Sequence, residues 1–389
     1  MRVLFAHNRY LFRGGEDESR EQEITMLRSR GVEIVEYVVN NRDLQVQNKL
    51  LAGIRSVWNA NAYHRMVGIL RENNPDIVKV DNYFPLLSPS IFAAAKSMGI
   101  PAILSVRNYR LICPSATLFR DGSVCKDCVG RKFATPAIQH RCYRGSYLQS
   151  SAIALGNAYA HFRGVWSDDV SHYIAVSDSV KQLLIRGSIP PEKISVKPNS
   201  IADTGPGEGD GGYAVYVGRL TMEKGIGTLL EAWRQVGQRL RLKIIGSGPL
   251  ENLVRQAAIE TEGIEFLGQR SLAEVCIHIG QANVLIFPSE WLEPFGRTIV
   301  EAYSKGTPVI GADTDPIRHM IVDGETGALF RPGDARDLAN KVLALFADGE
   351  TRYSMRLRAR ARYIANYSEE SGYAQMMKIF DHVLADGPA

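Results

Sequence analysis

A chain of 389 residues with 46 basic and 42 acidic side chains has a formal charge of +4 and a pI near 8.7, too mild a balance to argue for a nucleic-acid protein. Its 45% hydrophobic content is ample for the two domains that such a length suggests. The N-terminal stretch MRVLFAHNRYLFRGGEDE turns polar after a short apolar run, and no segment approaches the roughly 18 uninterrupted apolar residues of a membrane span, so a cytoplasmic protein without signal peptide or membrane span is expected.

In chain order, apolar runs at 2–6, 32–38, 76–80, 101–106, 172–177 and 193–199 predict strands, and helical spacing at 16–30, 59–73 and 88–98 predicts helices between them. Strand and helix in alternation read as a parallel sheet covered on both faces. The Gly- and Pro-rich stretch IADTGPGEGDGG (201–212) resists regular structure and reads as a linker. After it the rhythm restarts. Strands are expected at 213–218, 241–248, 264–268, 284–289 and 308–312, and a helix at 226–238 with Ile226, Leu229, Leu230, Trp233 and Val236 as its apolar stripe. A helical tail follows at 334–385. The expected architecture is α/β, with a domain over 1–200 joined by a C-terminal helix at about 368–389, and a second domain over 213–367.

Ligands of such sheets bind beyond the carboxyl ends of the strands, where amides at helix N-termini receive anions. Two loops of the second half fit. In VGRLTMEKG (217–225), Arg219 and Lys224 stand beside glycines, Gly218 among them, and two cations plus backbone amides suit a diphosphate. In EWLEPFGRTIVEAYSKGTPVI (290–310), Glu293, Pro294 and Phe295 form a turn after a strand and Gly296 opens a helix, leaving the amides at 295–298 free. Glu293 in the loop and Glu301 two turns along the helix are placed to accept hydrogen bonds from two hydroxylated rings of one elongated ligand. With a diphosphate between the rings, that ligand is a nucleotide sugar.

The combination GRLTMEKG (218–225), IIGSGPLE (244–251), FLGQ (266–269), FPSEWLEPFGRTIVEAYSKGTPVI (287–310) and DGETGALFRPGD (323–334), with RGGED (13–17) and VKPN (196–199) in the first half, resembles the GT4-type glycosyltransferases of the GT-B fold. The resemblance implies two Rossmann-like domains facing a cleft, a C-terminal helix crossing back to the first domain, and retaining transfer of a sugar from a nucleotide diphosphate to a saccharide hydroxyl in surface polysaccharide or glycolipid assembly. It implies that Arg219 and Lys224 bind the donor diphosphate, that Glu293 and the amides of Phe295, Gly296 and Arg297 hold the transferred sugar, and that Glu301 holds the ribose. Gly14 and Gly15 would let the first domain approach the phosphates, and no catalytic metal is expected. The Asp-x-Asp at 313–315 is accordingly not read as a metal motif.

Two features depart from the family. Arg107 stands where many relatives carry His; it stays protonated and reads either as a contact to an anion or sugar hydroxyl or as an ion pair at the cleft edge. The stretch ADTDPIRHM (312–320) replaces a Gly-Gly turn followed by Glu. Cys113, Cys125, Cys128 and Cys142 have the ligand count of a structural zinc site, against the alternative of reduced thiols. Leu155, Tyr159, Phe162 and Trp166 form a helical stripe near Arg144 and Arg163, which reads as core packing or as a face for a membrane bearing a lipid-linked acceptor. Other readings of the whole chain are a nucleotide-sugar 2-epimerase on the same fold and a nucleotide-sugar-binding protein without turnover. A dinucleotide oxidoreductase is disfavoured, since neither half has Gly-x-Gly-x-x-Gly after its first strand.

Overall fold

The computed structural model describes residues 1–11, 14–44 and 49–387. The chain divides into two compact units, one of Met1–Leu118, Cys125–Asn199 and Gly372–Ala389, the other of Phe119–Val124 and Ser200–Ser371.

The first unit begins with β1 (Arg2–Arg9), α1 (Gly15–Ser29), β2 (Glu33–Asn40), α2 (Lys49–Val57), α3 (Ala60–Asn73), β3 (Ile77–Asn82), α4 (Ser90–Ser97) and β4 (Ala102–Val106). After a short hairpin of β5 (Phe119–Arg120) and β6 (Ser123–Val124) come α5 (Thr135–Gln139), α6 (Tyr147–Phe162), β7 (His172–Ala175), α7 (Asp178–Arg186) and β8 (Ile194–Val196). The sheet is parallel, in the order β2-β1-β3-β4-β7-β8. Every residue of β3 and β4 is buried, as helices on both faces require of central parallel strands. Strand order reverses at β1, which lies between β2 and β3, and the carboxyl ends of β1 and β3 therefore flank the switch point.

The second unit contains β9 (Tyr213–Val217), α8 (Ile226–Val236), β10 (Arg241–Ile245), α9 (Glu251–Glu260), β11 (Ile264–Gly268), α10 (Leu272–Gln281), β12 (Val284–Phe287), α11 (Arg297–Ser304), β13 (Val309–Ala312), α12 (Ile317–Met320) and β14 (Gly327–Phe330). Its parallel sheet runs β11-β10-β9-β12-β13-β14, the doubly wound order whose switch point lies between β9 and β12. The expected stripe of α8 is the buried one, Ile226, Leu229, Leu230, Trp233 and Val236 packing over β9, β10 and β12.

The helical tail consists of α13 (Ala335–Ala347), α14 (Gly349–Asn366) and α15 (Glu369–Asp386). Asp334 and Asp348 start the first two by accepting from the amides of Asp337 and Thr351 at 2.9 Å each. The last helix is part of the first unit: Met376, Ile379, Phe380 and Val383 pack among Val3, Phe5, Ile24, Leu27 and Ile77. Among the described residues no helix is long and apolar enough to cross a membrane.

Phe380 is fully buried in that core, so Phe380→Ala leaves a cavity and should cost about 3–5 kcal/mol. Urea denaturation followed by a first-unit probe checks this; a loss below about 1 kcal/mol would mean that α15 is not integral to the core.

Candidate functional site

The second unit's switch point is assembled by backbone contact. Gly225 has φ +69, and a Cβ there would lie 2.0 Å from the carbonyl oxygen of Pro288, so only glycine lets the loop after β9 touch the loop after β12. The Glu290 amide donates to the Glu223 carbonyl at 3.0 Å, tying the two loops a second time. On the other side, a Cβ on Gly246 would meet the carbonyl oxygen of Gly218 at 1.9 Å, and the Gly218 amide donates to Ile245 at 3.1 Å.

This apposition brings Lys224 onto Glu293. The ammonium donates to Oε1 at 2.9 Å and to Oε2 at 2.6 Å. Oε2 also accepts from the Trp291 indole at 2.7 Å and from Ser289 at 3.1 Å. The Lys224 nitrogen lies 5.4 Å from the Trp291 ring centroid. Glu293 is buried, and the three donors offset the desolvation of its charge. Burial, and next the Glu293 carboxylate, push the Tyr216 phenol well above its ordinary range; its hydroxyl donates to the Arg219 carbonyl at 2.8 Å. The carboxylate is thus anchored through Oε2, while the bonds shown for Oε1 come from Lys224 alone.

The other expected residues lie on the same two loops. Arg219 sends a largely exposed side chain beside Glu223, 3.4 Å away. Phe295 is buried and packs edge-on against Tyr367 with centroids 6.2 Å apart. Gly296 precedes α11, where a Cβ would meet Ile299 at 2.6 Å. The expectation of free amides throughout 295–298 needs one correction, because the Arg297 amide donates to the Phe295 carbonyl at 3.1 Å in a tight turn. Arg297 also pairs with Glu301 one helical turn on, Nε to Oε1 at 2.9 Å, with both side chains mostly buried. Sequence reasoning missed Ser289 and Trp291 as partners of Glu293. The signal available was their placement within four residues of that acid, just after a strand.

The first unit's switch point carries a different cluster. Lys79 on β3 contacts Glu23 of α1 at 2.6 Å and Asp81 at 2.7 Å. Arg107, following β4, reaches Asp81 at 3.1 Å and Glu23 at 3.3 Å, and Lys197 reaches Glu23 at 3.1 Å. Arg107 thus makes the kind of contact that one of its two readings expects, an ion pair with buried carboxylates. Burial opposes ionisation of Glu23, but Lys79, Lys197 and Arg107 outweigh it and hold the carboxyl far below its usual range. Asp81 is lowered in the same way, burial being outweighed by Lys79 and Arg107. Nearby, His7 Nε2 and Asp17 are 2.9 Å apart, and burial raises the Glu16 carboxyl against the pull of Arg107. Gly14 is extended, and a Cβ there would meet nothing within 4 Å, so neither conformation nor a neighbour within the protein accounts for glycine. Gly15 opens α1; Arg13 of the same motif lies outside the described residues.

Of the four cysteines with the ligand count of a zinc site, Cys113, Cys125 and Cys142 all lie near enough to act on the Cys128 thiol. Among the described residues no three His, Cys, Asp or Glu side chains are grouped to hold a metal ion. Cys113 is buried with its sulfur 3.1 Å from the Ser115 hydroxyl, while Cys128 and Cys142 pack against Ala134, Ala137 and Ala154. Burial, with the neighbouring Cys113, Cys142 and Cys125 adding to it, pushes the Cys128 thiol up to about 11. In the helical stripe near 155–166, Trp166 is fully buried and Tyr159 packs edge-on against Trp58 at 5.9 Å, while Leu155 and Phe162 are exposed.

Comparison with known proteins places these loops in context. Residues 21–204 match the model of Glycosyltransferase Family 4, and residues 202–362 match that of Glycosyl transferases group 1. Among curated relatives, a phosphatidyl-myo-inositol mannosyltransferase of Mycobacterium leprae is 32% identical over 58% of this chain and 64% of its own length. The sulfoquinovosyl transferase SQD2 of Arabidopsis thaliana is 32% identical over 38% of this chain and 29% of its own. The match therefore spans less than two thirds of these relatives. Among solved structures, HepE of Anabaena in complex with UDP superposes with a TM-score of 0.71 at 16% identity, covering 98% of this chain and 100% of that one. Sucrose-phosphate synthase of Thermosynechococcus elongatus gives 0.72 at 16%, covering 98% and 99%. These structures have the GT-B fold, which is the fold of this chain.

The buried cluster makes a pH prediction. A carboxylate whose folded pKa is depressed adds stability that is present above its unfolded value, about 4.3, and is lost as pH falls toward the folded value. Glu23→Gln should cost about 3–5 kcal/mol near neutral pH by stranding Lys79 and Lys197, and the gap to the native chain should narrow below about pH 4. Denaturation at several pH values checks both; a gap that does not depend on pH would contradict the assignment.

Proposed function

Because the chain belongs to the glycosyltransferases, with the Family 4 domain in its first half and the group 1 domain in its second, we propose that it transfers a sugar from a nucleotide diphosphate to a saccharide or lipid-linked acceptor with retention of anomeric configuration. The observation that carries the proposal is the Lys224–Glu293 pair held at the switch point of a doubly wound sheet, where such sheets bind nucleotides. The fold neighbours support a nucleotide-sugar donor, since HepE was solved with UDP and with UDP-glucose. The names of the mannosyl and sulfoquinovosyl transferases, and of the capsular polysaccharide biosynthesis glycosyltransferase CapM of Staphylococcus aureus, support a glycolipid or surface polysaccharide as the product.

In this reading the donor diphosphate draws Lys224 away from Glu293, with Arg219 and the amides of Phe295 and Gly296 around the same anion. Glu293 keeps Oε2 on Trp291 and Ser289 and turns Oε1 to the sugar hydroxyls. Loss of the diphosphate builds negative charge on the leaving group and positive charge on the sugar ring. Lys224 and the oriented amides stabilise the first, and the Glu293 carboxylate lies beside the second. Glu301, steadied by Arg297, takes the ribose. Arg107 holds the charge cluster at the first unit's switch point together. The acceptor hydroxyl attacks from the face the diphosphate leaves: its oxygen bonds the anomeric carbon as the carbon–oxygen bond to the diphosphate breaks, and its proton passes to the leaving diphosphate. No covalent intermediate with the protein forms, and no metal takes part. A lipid-linked acceptor places the enzyme at a membrane surface as a peripheral protein.

Donor consumption across uridine, guanosine and adenosine diphosphate sugars, with a polyprenyl- or lipid-linked saccharide as acceptor, tests the proposal. Proton NMR of the product should show the donor's anomeric configuration; the inverted configuration would overturn the mechanism. Lys224→Ala and Glu293→Gln should each lower kcat/KM by about 100-fold or more. Trp291→Phe removes one anchor of Oε2 and should cost about tenfold. Full activity in Lys224→Ala and Glu293→Gln would place the chemistry elsewhere.

A further inference from the structure

Two long acid-free stretches of the first unit meet on one surface. Residues 128–167 contain no Asp or Glu, and neither do residues 44–71; α6 lies within the first and α2 within the second. The two helices pack closely: Gly156 of α6 faces Val57 of α2, and a Cβ there would sit 3.6 Å from that valine. Tyr159 of α6 meets Trp58 just after α2.

The outer side of α6 is apolar where a surface helix is ordinarily polar. Leu148 is 72% exposed, Leu155 54% and Phe162 89%. These positions are seven residues apart, so each falls within about 20° of the one before, in a single line about 21 Å long. Ile153, Ala154 and Ala160 bury the opposite side, so the helix is anchored while the line faces outward. Exposed arginines stand at both ends: Arg141 over the Tyr147 ring at 5.4 Å, Arg144 over Tyr143 at 5.3 Å, and Arg163 over Trp58 at 5.2 Å. Stacked on aromatic rings, these guanidiniums are held beside the apolar line. The nearest acids in sequence, Asp168 and Asp169, follow the helix; Asp169 faces Lys96 at 3.6 Å and also lies within electrostatic reach of Arg163.

We propose that this face of α6 docks on an anionic lipid bilayer, the leucines and phenylalanine entering the acyl boundary and the arginines meeting lipid phosphates. Charge complementarity selects the occupant, since an apolar line bracketed by cations, on a helix that itself carries no carboxylate, suits an anionic surface. A second copy of the same face would oppose cation to cation. Docking complements the glycosyltransferase reading, because it holds the enzyme where a lipid-linked acceptor resides, but binding is measured without donor or acceptor and so stands or falls separately.

The test is co-sedimentation of the full chain with vesicles of phosphatidylcholine alone and of phosphatidylcholine with phosphatidylglycerol. Binding to the anionic vesicles should be at least about tenfold tighter and should weaken with added salt. The variant Leu148→Ser, Leu155→Ser, Phe162→Ser should lose at least about tenfold, as should Arg141→Ser, Arg144→Ser, Arg163→Ser, with the melting midpoint and any donor-induced shift in it unchanged. No binding to either vesicle, binding that the apolar triple variant leaves intact, or a dimer that this variant dissociates would each overturn the proposal.

Discussion

The Lys224–Glu293 ion pair depends on two loops lying closer together than side chains would allow. Its members are 69 positions apart in sequence, and they meet because β9 and β12 are neighbours in a sheet whose order reverses between them. Gly225 presses on the backbone of Pro288 at one side, and Gly246 on that of Gly218 at the other. A buried ion pair is a poor stabiliser unless other donors complete it, and Trp291 and Ser289 complete this one from within the loop that carries Glu293. The result is a carboxylate with one oxygen anchored and the other bonded to a cation, beside the start of α11. Such a carboxylate can give up its cation to a ligand's phosphate and stay in place, which a pair holding only each other cannot do.

The switch point of the first unit solves the same burial problem by charge density. Three cations, Lys79, Arg107 and Lys197, surround Glu23 and Asp81. The network joins β3, α1, the end of β4 and the segment after β8, so it fixes the carboxyl ends of the strands as a rigid floor. Arg107 is bound into that floor by two carboxylates. Its permanent charge suits a structural role that a histidine, neutral at physiological pH in the absence of such partners, would fill less well.

Much of the fold was legible in the sequence because parallel sheets covered on both faces write themselves as uniform apolar runs. The exceptions are instructive. β1 extends through His7 and Asn8, which break the apolar pattern yet are fully buried; Asn8 donates to Asn41 at 2.7 Å, and His7 meets Asp17. Lys79 sits in β3 two residues before Asp81, and nothing local distinguishes it from a solvated lysine. Only the topology shows that Glu23, Asp81 and Arg107 close around it. In the second unit the residue types of the site were readable from the loops, whereas the mutual pairing of Lys224 with Glu293 was not. On α6 the sequence placed Leu155 and Phe162 on one stripe with Tyr159 and Trp166, but the outward line is Leu148, Leu155 and Phe162, because that tryptophan is buried beside Tyr83 and Phe92.

The central claim is that the switch point of the second unit receives the donor. The most direct measurement is a crystal structure of the chain soaked with a nucleotide diphosphate sugar. The account predicts diphosphate oxygens within hydrogen-bond distance of Lys224 Nζ, a sugar hydroxyl on Glu293 Oε1, and Trp291 and Ser289 still on Oε2. A donor bound elsewhere in the chain, with the Lys224–Glu293 pair undisturbed, would contradict it.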